Sequence, residues 1–516
     1  MMKQKTNCGG FSRLLHDRTL VLTALFVTVL CYGFAITHQS IGIDDVARNF
    51  YLYGDGSWNM IRQGRLLHVL LNLLTRCVDF IPFFTEYVGA FLFFLSSLLF
   101  CWLFQRVCAG KLSSIQLAAF AAVYLSSSVN VEKFLYSLDV IAAMTSYCFC
   151  ALGLLYAYRF VGGQKWAALP GIVLTMGAIA SYESFLFLYI CGVFAILMLE
   201  ILENPEKWRF CALFRAGVQY ALVLLAAALL YYGLVAAVQH LTGNLRTTSP
   251  YTGWESQGQG FWGTLMGILK GIAAYFRDSL LVSRYRPVWI FCGVTCLGGL
   301  SVLWLAIRKK NFWLIPCFLA LLGSNFCIHI IYGSFHPRIA QTFCFYVGFL
   351  VLLLVGCCRK TRAGTATVLI FAALLVLIQS ADMNRWFYND YARSQKEEFV
   401  VHTLATQLQT GYDLSKPVIL TNCPNHWSDD SGYLITRLYP GGDVNGNSVI
   451  YWCGNTVTGY CPTFTADLFR LYGYDFLVSP TVELAVKAQD MAKGMPIWPS
   501  EGSVREFEDF IAVNFG

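Results

Sequence analysis

Charge is the scarcest thing in this sequence. Of 516 residues only 13% are Asp, Glu, Lys or Arg, roughly half the share found in an ordinary soluble domain. A chain so short of charge cannot cover a body of this size with solvated side chains, so a mainly soluble protein is excluded. Metal-binding spacing is missing too. Nineteen cysteines are present, but none forms Cys-x-x-Cys and no Cys/His set suggests a metal. Most lie inside apolar runs as small buried hydrophobes. There is no phosphate-cradling Gly-x-x-x-x-Gly-Lys-Ser/Thr loop, no repeat and no low-complexity tract. The formal charge of +7 is spread over short connections rather than gathered in one patch, which argues against nucleic acid as a partner.

What is abundant is apolar. Hydrophobic residues make up 57% and aromatics 16% of the chain, and the mean hydropathy is +0.55. The first long run, at about 20–37, follows a basic stretch with Lys3, Lys5, Arg13 and Arg18. It is too long for the apolar core of a secretory signal, and no small-residue cleavage site follows, so it reads as a retained span. Further runs fall near 87–105, 113–131, 138–158, 167–182, 185–202, 212–239, 287–307, 312–333, 339–357 and 363–380. That makes about eleven spans, each near the ~20 residues a bilayer requires.

If residues 1–18 are cytoplasmic, alternate connections should be basic. They carry Arg106/Lys111, Arg159/Lys165, Lys207/Arg209/Arg215, Arg308/Lys309/Lys310 and Arg359/Lys360/Arg362. The register therefore predicts a multi-pass cell-membrane protein with its C-terminal region outside. Two segments fit poorly as spans. Residues 65–82 set Leu66, Leu67, Leu70, Leu71, Leu74 and Val78 against His68, Asn72, Arg76 and Asp79, the spacing of a helix lying on the outer interface. Residues 261–283 read as a second interfacial or re-entrant helix, because counting them as a span would put Arg308-Lys309-Lys310 outside. The expected fold class is an all-α polytopic membrane domain, residues 19–381, followed by a small mixed α/β extracytoplasmic domain, residues 382–516. That tail is long enough to bury its own core. It holds Cys423, Cys453 and Cys461, whose pairing the sequence leaves open.

On this layout every outer connection contributes carboxylates, Arg or His. The first carries Asp44, Asp45 and Arg48, then Trp58, then Gly64-Arg65. Two adjacent carboxylates beside a membrane are costly to place, and their default reading is functional. Glu132-Lys133 reads as a solvated pair, and Asp139 as a charge favoured at a helix N-terminus. Glu183 is held in the short connection Ser181-Tyr182-Glu183-Ser184, and His336-Pro337-Arg338 closes the set. A carboxylate can act as general base on an acceptor hydroxyl, while Arg and His⁺ can neutralise a departing phosphate. Trp58, like Tyr51, Tyr53 and Trp254, offers a flat face to a sugar ring, though aromatics also gather at membrane interfaces for purely physical reasons.

The order of these features resembles the GtrII-type glucosyltransferases, polytopic bacterial enzymes that modify surface polysaccharides. The resemblance rests on Asp44-Asp45, on Gly54-Asp55-Gly56-Ser57-Trp58 and on Gly64-Arg65 before an amphipathic helix, and it covers about residues 20–380. More broadly the chain is similar to the GT-C class of multispan glycosyltransferases. The resemblance implies a polyprenyl-phosphate sugar donor, with glucose as the sugar, and an envelope glycan acceptor at the outer face. It implies Asp44 or Asp45 as the base of an inverting transfer, Arg65, His336 and Arg338 at the lipid phosphate, and Glu183 orienting the acceptor or the base. Arg48 and Trp58 complete the implied substrate-binding set. No cofactor is fixed by it: some members of that class use a divalent cation such as Mg or Mn, some do not, and an adjacent Asp pair speaks for neither. Two rivals remain at this point. A transporter or flippase of lipid-linked sugars would place ionisable groups in mid-span, and a non-catalytic polysaccharide-assembly protein would tolerate loss of Asp44 and Asp45.

Overall fold

The computed structural model describes residues 10–49, 60–75, 83–244, 260–281, 286–332, 340–359, 361–424, 447–455, 462 and 464–516. Most of it is helical. In chain order the helices are α1 (Arg18–Thr37), α2 (Ile43–Asn49), α3 (Leu66–Thr75), α4 (Phe84–Val107), α5 (Ser114–Leu125), α6 (Val131–Leu135) and α7 (Ser137–Val161). They continue as α8 (Ala168–Ile179), α9 (Phe185–Glu203), α10 (Phe210–Thr242), α11 (Gly260–Leu281), α12 (Arg286–Lys309), α13 (Leu314–Ser324), α14 (Thr342–Cys358) and α15 (Arg362–Gly411). Among the described residues eight helices are long and apolar enough to cross a membrane. The shorter apolar helices Lys165–Ile179, Leu314–Ser324 and Thr342–Cys358 occupy the other three runs. Of the two expected interfacial segments, 66–75 and 260–281 are helical. On α3, Leu67 and His68 are buried while Leu70, Leu73 and Leu74 are exposed.

Small residues let the central helices approach closely, as membrane packing without a hydrophobic drive requires. Gly89 of α4 lies against Val140 of α7, where an added methyl would meet the valine side chain, and Gly153 of α7 lies against Thr175. The pairing of Gly89 with Val140 sets α4 and α7 side by side. Aromatic rings fill the middle: Phe93 stands 4.7 Å from Tyr124 and 5.2 Å from Tyr147. Each buried hydroxyl here needs a partner. Tyr32 donates to the carbonyl of Leu125 at 3.0 Å, and Tyr147 to Asn130 Oδ1 at 3.0 Å.

α15 does not stop where its apolar run ends. It continues unbroken to Gly411 over 50 residues, about 75 Å at 1.5 Å per residue, more than twice the ~30 Å of a bilayer core. Its last turns, with Val400, Val401, Leu404 and Leu408, form one wall of the tail's apolar core. The other walls are β1 (Val418–Thr421), α16 (Val449–Asn455), α17 (Phe464–Leu471), β2 (Val504–Glu506) and β3 (Ile511–Asn514), while α18 (Val482–Met491) packs Ala485 and Ala488 in a second cluster with Ile419, Phe510 and Ala512. The strands form one sheet in the order β1-β3-β2. β1 runs parallel to β3 with Val418 opposite Ile511, and β2 antiparallel with Val504 opposite Val513. Cys423 and Cys453 are both buried in this core, and Cys461 lies outside the described residues.

Candidate active site

Asp139 is the centre of the polar cluster at the tail end of the bundle. It sits in the first turn of α7, where the helix dipole favours a carboxylate, yet its side chain is only 5% exposed. Burial on that scale demands partners. Tyr182 donates its hydroxyl to Asp139 Oδ2 at 2.6 Å. His68 Nδ1 stands 3.3 Å from Oδ1, and Arg65 Nη1 stands 3.8 Å from Oδ2. The other nitrogen of His68, Nε2, reaches Ser181 Oγ at 3.3 Å. One carboxylate thus gathers residues from two other stretches of chain, 65–68 and 181–182.

The ring of Tyr182 collects cations. Arg65 Cζ lies 4.5 Å and Lys133 Nζ 3.9 Å from its centroid, within the range of a cation–π contact. Lys133 is buried, so it is not the solvated charge that Glu132-Lys133 suggests by sequence. The result is a compact patch where two or three positive groups are held in place by one acid and one aromatic ring.

Arg65 is aimed by the turn before it. Gly64 has φ of +77°, a conformation that L side chains rarely adopt. A methyl there would also press on the Tyr231 hydroxyl. That hydroxyl donates to the Gly64 carbonyl at 3.1 Å and stands 3.5 Å from Glu183 Oε1. Gln239 Nε2 donates to the carbonyls of Ile61 and Arg62 at 2.9 and 3.1 Å, and the Leu67 N–H donates to the Ala180 carbonyl at 3.0 Å. The Gly-Arg turn is therefore clamped by α10 and by the end of α8, and Glu183 enters the same assembly through Tyr231.

The two first-loop carboxylates differ. Asp45 is 1% exposed and its Oδ2 accepts the Gly42 N–H at 3.0 Å. A carboxylate in the third helical position bonding back to the residue before the helix is half of a capping box. Asp44, in the same first turn, keeps part of its surface open. α2 packs against α7, the helix that opens with Asp139. Asn447 ties the two together: its carbonyl accepts the Ile43 N–H at 3.2 Å, and its amide donates to the Leu135 carbonyl, two residues before α7, at 3.3 Å.

Of the residues singled out by sequence, Arg65 and Glu183 thus join one assembly, with Asp44 and Asp45 on a helix packed beside it. The Arg48 side chain, Trp58, His336 and Arg338 lie outside the described residues. The sequence reading missed His68, Lys133, Tyr182 and Tyr231 as members. His68 carried one visible signal, its position three residues after Arg65 on the polar stripe of α3. Among the described residues no three His, Cys, Asp or Glu side chains gather to hold a metal ion.

Comparison with known proteins adds one finding. Residues 33–355 match the family model described as Glucosyl transferase GtrII, which is well over half of the chain. Neither a curated protein nor a solved structure matches it.

Proposed function

We propose that the chain, which belongs to the GtrII glucosyltransferase family, transfers glucose from a polyprenyl-phosphate donor to an envelope polysaccharide on the outer face of the cell membrane. The observation that carries this reading is the set of cations around Tyr182. Arg65 and Lys133 are held there by contacts of 4.5 and 3.9 Å, at the end of the bundle where Asp44 emerges. A sugar phosphodiester carries one negative charge, and the phosphate monoester that departs carries nearly two. Preformed positive charge beside that oxygen lowers the barrier most when the charge appears. Asp139 takes no part in the transfer itself and holds Arg65 in place, and His68 supplies a further donor when protonated.

In this scheme the acceptor hydroxyl attacks the anomeric carbon, the carbon–oxygen bond to the lipid phosphate breaks, and the hydroxyl proton passes to Asp44. One displacement inverts the anomeric centre. Asp44 is assigned this role because a base must reach its substrate. Asp45, buried and bonded to Gly42, holds the helix that carries it. Glu183 orients the acceptor. Arg48, Trp58, His336 and Arg338 complete the proposed substrate-binding set. A divalent cation such as Mg or Mn, where the reaction uses one, would supply further positive charge at the donor phosphate.

The test is reconstitution in lipid nanodiscs with polyprenyl-phosphate-glucose and a cell-wall glycan. The expected result is glucosylated glycan and free polyprenyl phosphate in equal amounts. Arg65→Ala should lower the rate by about 10²-fold, the scale of losing one preorganised charge contact. Use of a nucleotide-linked glucose in place of the lipid donor would overturn the donor assignment. Movement of intact lipid-linked glucose across the bilayer, without transfer, would favour a transporter.

A further inference from the structure

The helix bearing Asp44 is not held by the membrane bundle alone. Its apolar side, Ile43 and Val46, is buried in the core of the tail together with Leu404, Phe464, Leu468 and Ile511. Around that apolar contact runs a closed set of buried polar bonds. Arg393 of α15 is 6% exposed and spends its guanidinium in three directions. Nε donates to Asp390 at 3.0 Å, Nη1 to Glu397 at 2.7 Å, and Nη2 to the carbonyl of Ile41 at 2.8 Å. The Ile41 N–H donates in turn to Ser394 Oγ at 3.1 Å.

The tail closes the circuit from its own side. Asn447 donates to both oxygens of Asp390 at 3.1 Å while its carbonyl holds the Ile43 N–H. Glu397 accepts the Ser448 hydroxyl and, at 3.3 Å, the Ile450 N–H. Gly42 fits because it lacks a side chain, since an added methyl would run into the Asn447 amide. Ile41 is therefore bonded to α15 through both of its backbone groups, and Ile43 to the tail through its N–H. A bare structural anchor needs only the apolar contact. A circuit that fixes the two polar groups of Ile41 and the N–H of Ile43 fixes a pose.

We propose that this seam is a positioning device for transfer, with Asn447 and Arg393 as its positioning residues. They set α2 so that Asp44 meets the acceptor beside the Arg65–Lys133–Asp139 cluster. The tail is then part of the active centre, although it contributes no group to the reacting atoms. This inference rests on the assignment of Asp44 as the base.

The experiment compares full-length wild type, Asn447→Ala, Arg393→Lys and Asp44→Asn by kinetics and by hydrogen exchange of peptides spanning 41–46. For the first two variants the proposal predicts faster exchange across 41–46. It predicts a kcat lower by roughly 10- to 100-fold, the scale of misplacing one reacting group, with donor KM held in Arg393→Lys, because the bonds of Arg393 go to Asp390, Glu397 and Ile41 and to neither Arg65 nor the helix of Lys133. Wild-type kcat in both variants overturns it. So does a fall in kcat with unchanged exchange at 41–46. An inactive Asp44→Asn beside fully active Asn447→Ala removes the positioning role and leaves the base in place. An active Asp44→Asn removes the base, and the positioning role with it. If the variants fail to fold, wild type alone decides: exchange followed in rising denaturant must show 41–46 and 447–455 losing protection in one step. Two separate steps overturn the proposal.

Discussion

α9 has acidic residues beside both of its ends, and the chain treats them differently. At one end Glu200 and Glu203 meet Lys207 and Lys111, whose side chains are 57% and 64% exposed. At the other, Ser181-Tyr182-Glu183 meets Asp139, His68 and Lys133, all nearly buried. Pairs of the first kind, with their lysines in solvent, contribute about 0–1 kcal/mol each. Removing an ion from water is another matter, with an effective penalty of several kcal/mol per ion. A protein with so little charge to place has put it where it is most expensive. What the contrast teaches is that charge in this molecule is informative by its burial, and its abundance says little.

The comparison can be broken at several points. Asp139→Asn carries the largest expected effect. It leaves Arg65 and His68 without their shared counter-charge, and breaking a buried pair costs about 3–5 kcal/mol. Thermal melting in detergent should fall steeply and transfer should fall with it. If the variant melts like wild type, the two ends are not different in kind. Gly64→Ala comes next. Placing a side chain in a left-handed conformation costs about 1–2 kcal/mol, and the collision with the Tyr231 hydroxyl tips Arg65 away from Tyr182. The expected reading is a modest loss of melting temperature with a clear rise in donor KM; an unchanged KM would detach the turn from the donor site.

Lys111→Ala at the far end should change stability by no more than ~1 kcal/mol and leave transfer at its wild-type rate. A large loss there would show that the exposed end also does chemistry. The smallest effect belongs to the tail surface. Glu506 is held below the ordinary carboxylate range, first by the hydrogen bond from Lys416 and then by the Asp413 N–H. A carboxyl with a lowered folded value stabilises above its unfolded range and loses that contribution as pH falls through the folded value. The small melting difference between wild type and Glu506→Gln at pH 7 should therefore close on acidification. A difference that persists below the carboxylate range would assign the effect to packing.

Much of this was legible in the sequence, for identifiable reasons. Long apolar runs locate helices because hydropathy is a local property, and each of the eleven expected runs holds a described helix. The Gly64-Arg65 pair stood out because it precedes an amphipathic helix in the order of features that resembles the family. The cluster itself was not legible: Arg65, Lys133, Asp139 and Tyr182 meet only after four elements pack, and no local pattern encodes that meeting. Lys133 looked solvated because sequence gives charge and withholds burial. The course of α15 past 380 was hidden by its polar residues, which read as a change of character. Its buried members Asp382, Asp390, Arg393 and Glu397 follow one another by eight, three and four residues, the spacing of one helical face. That periodicity was the available signal. Likewise, Ile43 and Val46 are three apart, which marks an apolar side to the helix of Asp44 and Asp45, although nothing in the sequence says that the tail covers it.

The central claim is that Asp44 takes the acceptor proton at the buried-charge end of the bundle. It is tested most directly by single-turnover glucose transfer from saturating polyprenyl-phosphate-glucose, comparing wild type with Asp44→Asn and measuring donor binding in the same samples. The account predicts a rate lower by on the order of 10²–10⁴, with donor affinity unchanged. A rate within about twofold of wild type, at full donor occupancy, would contradict it.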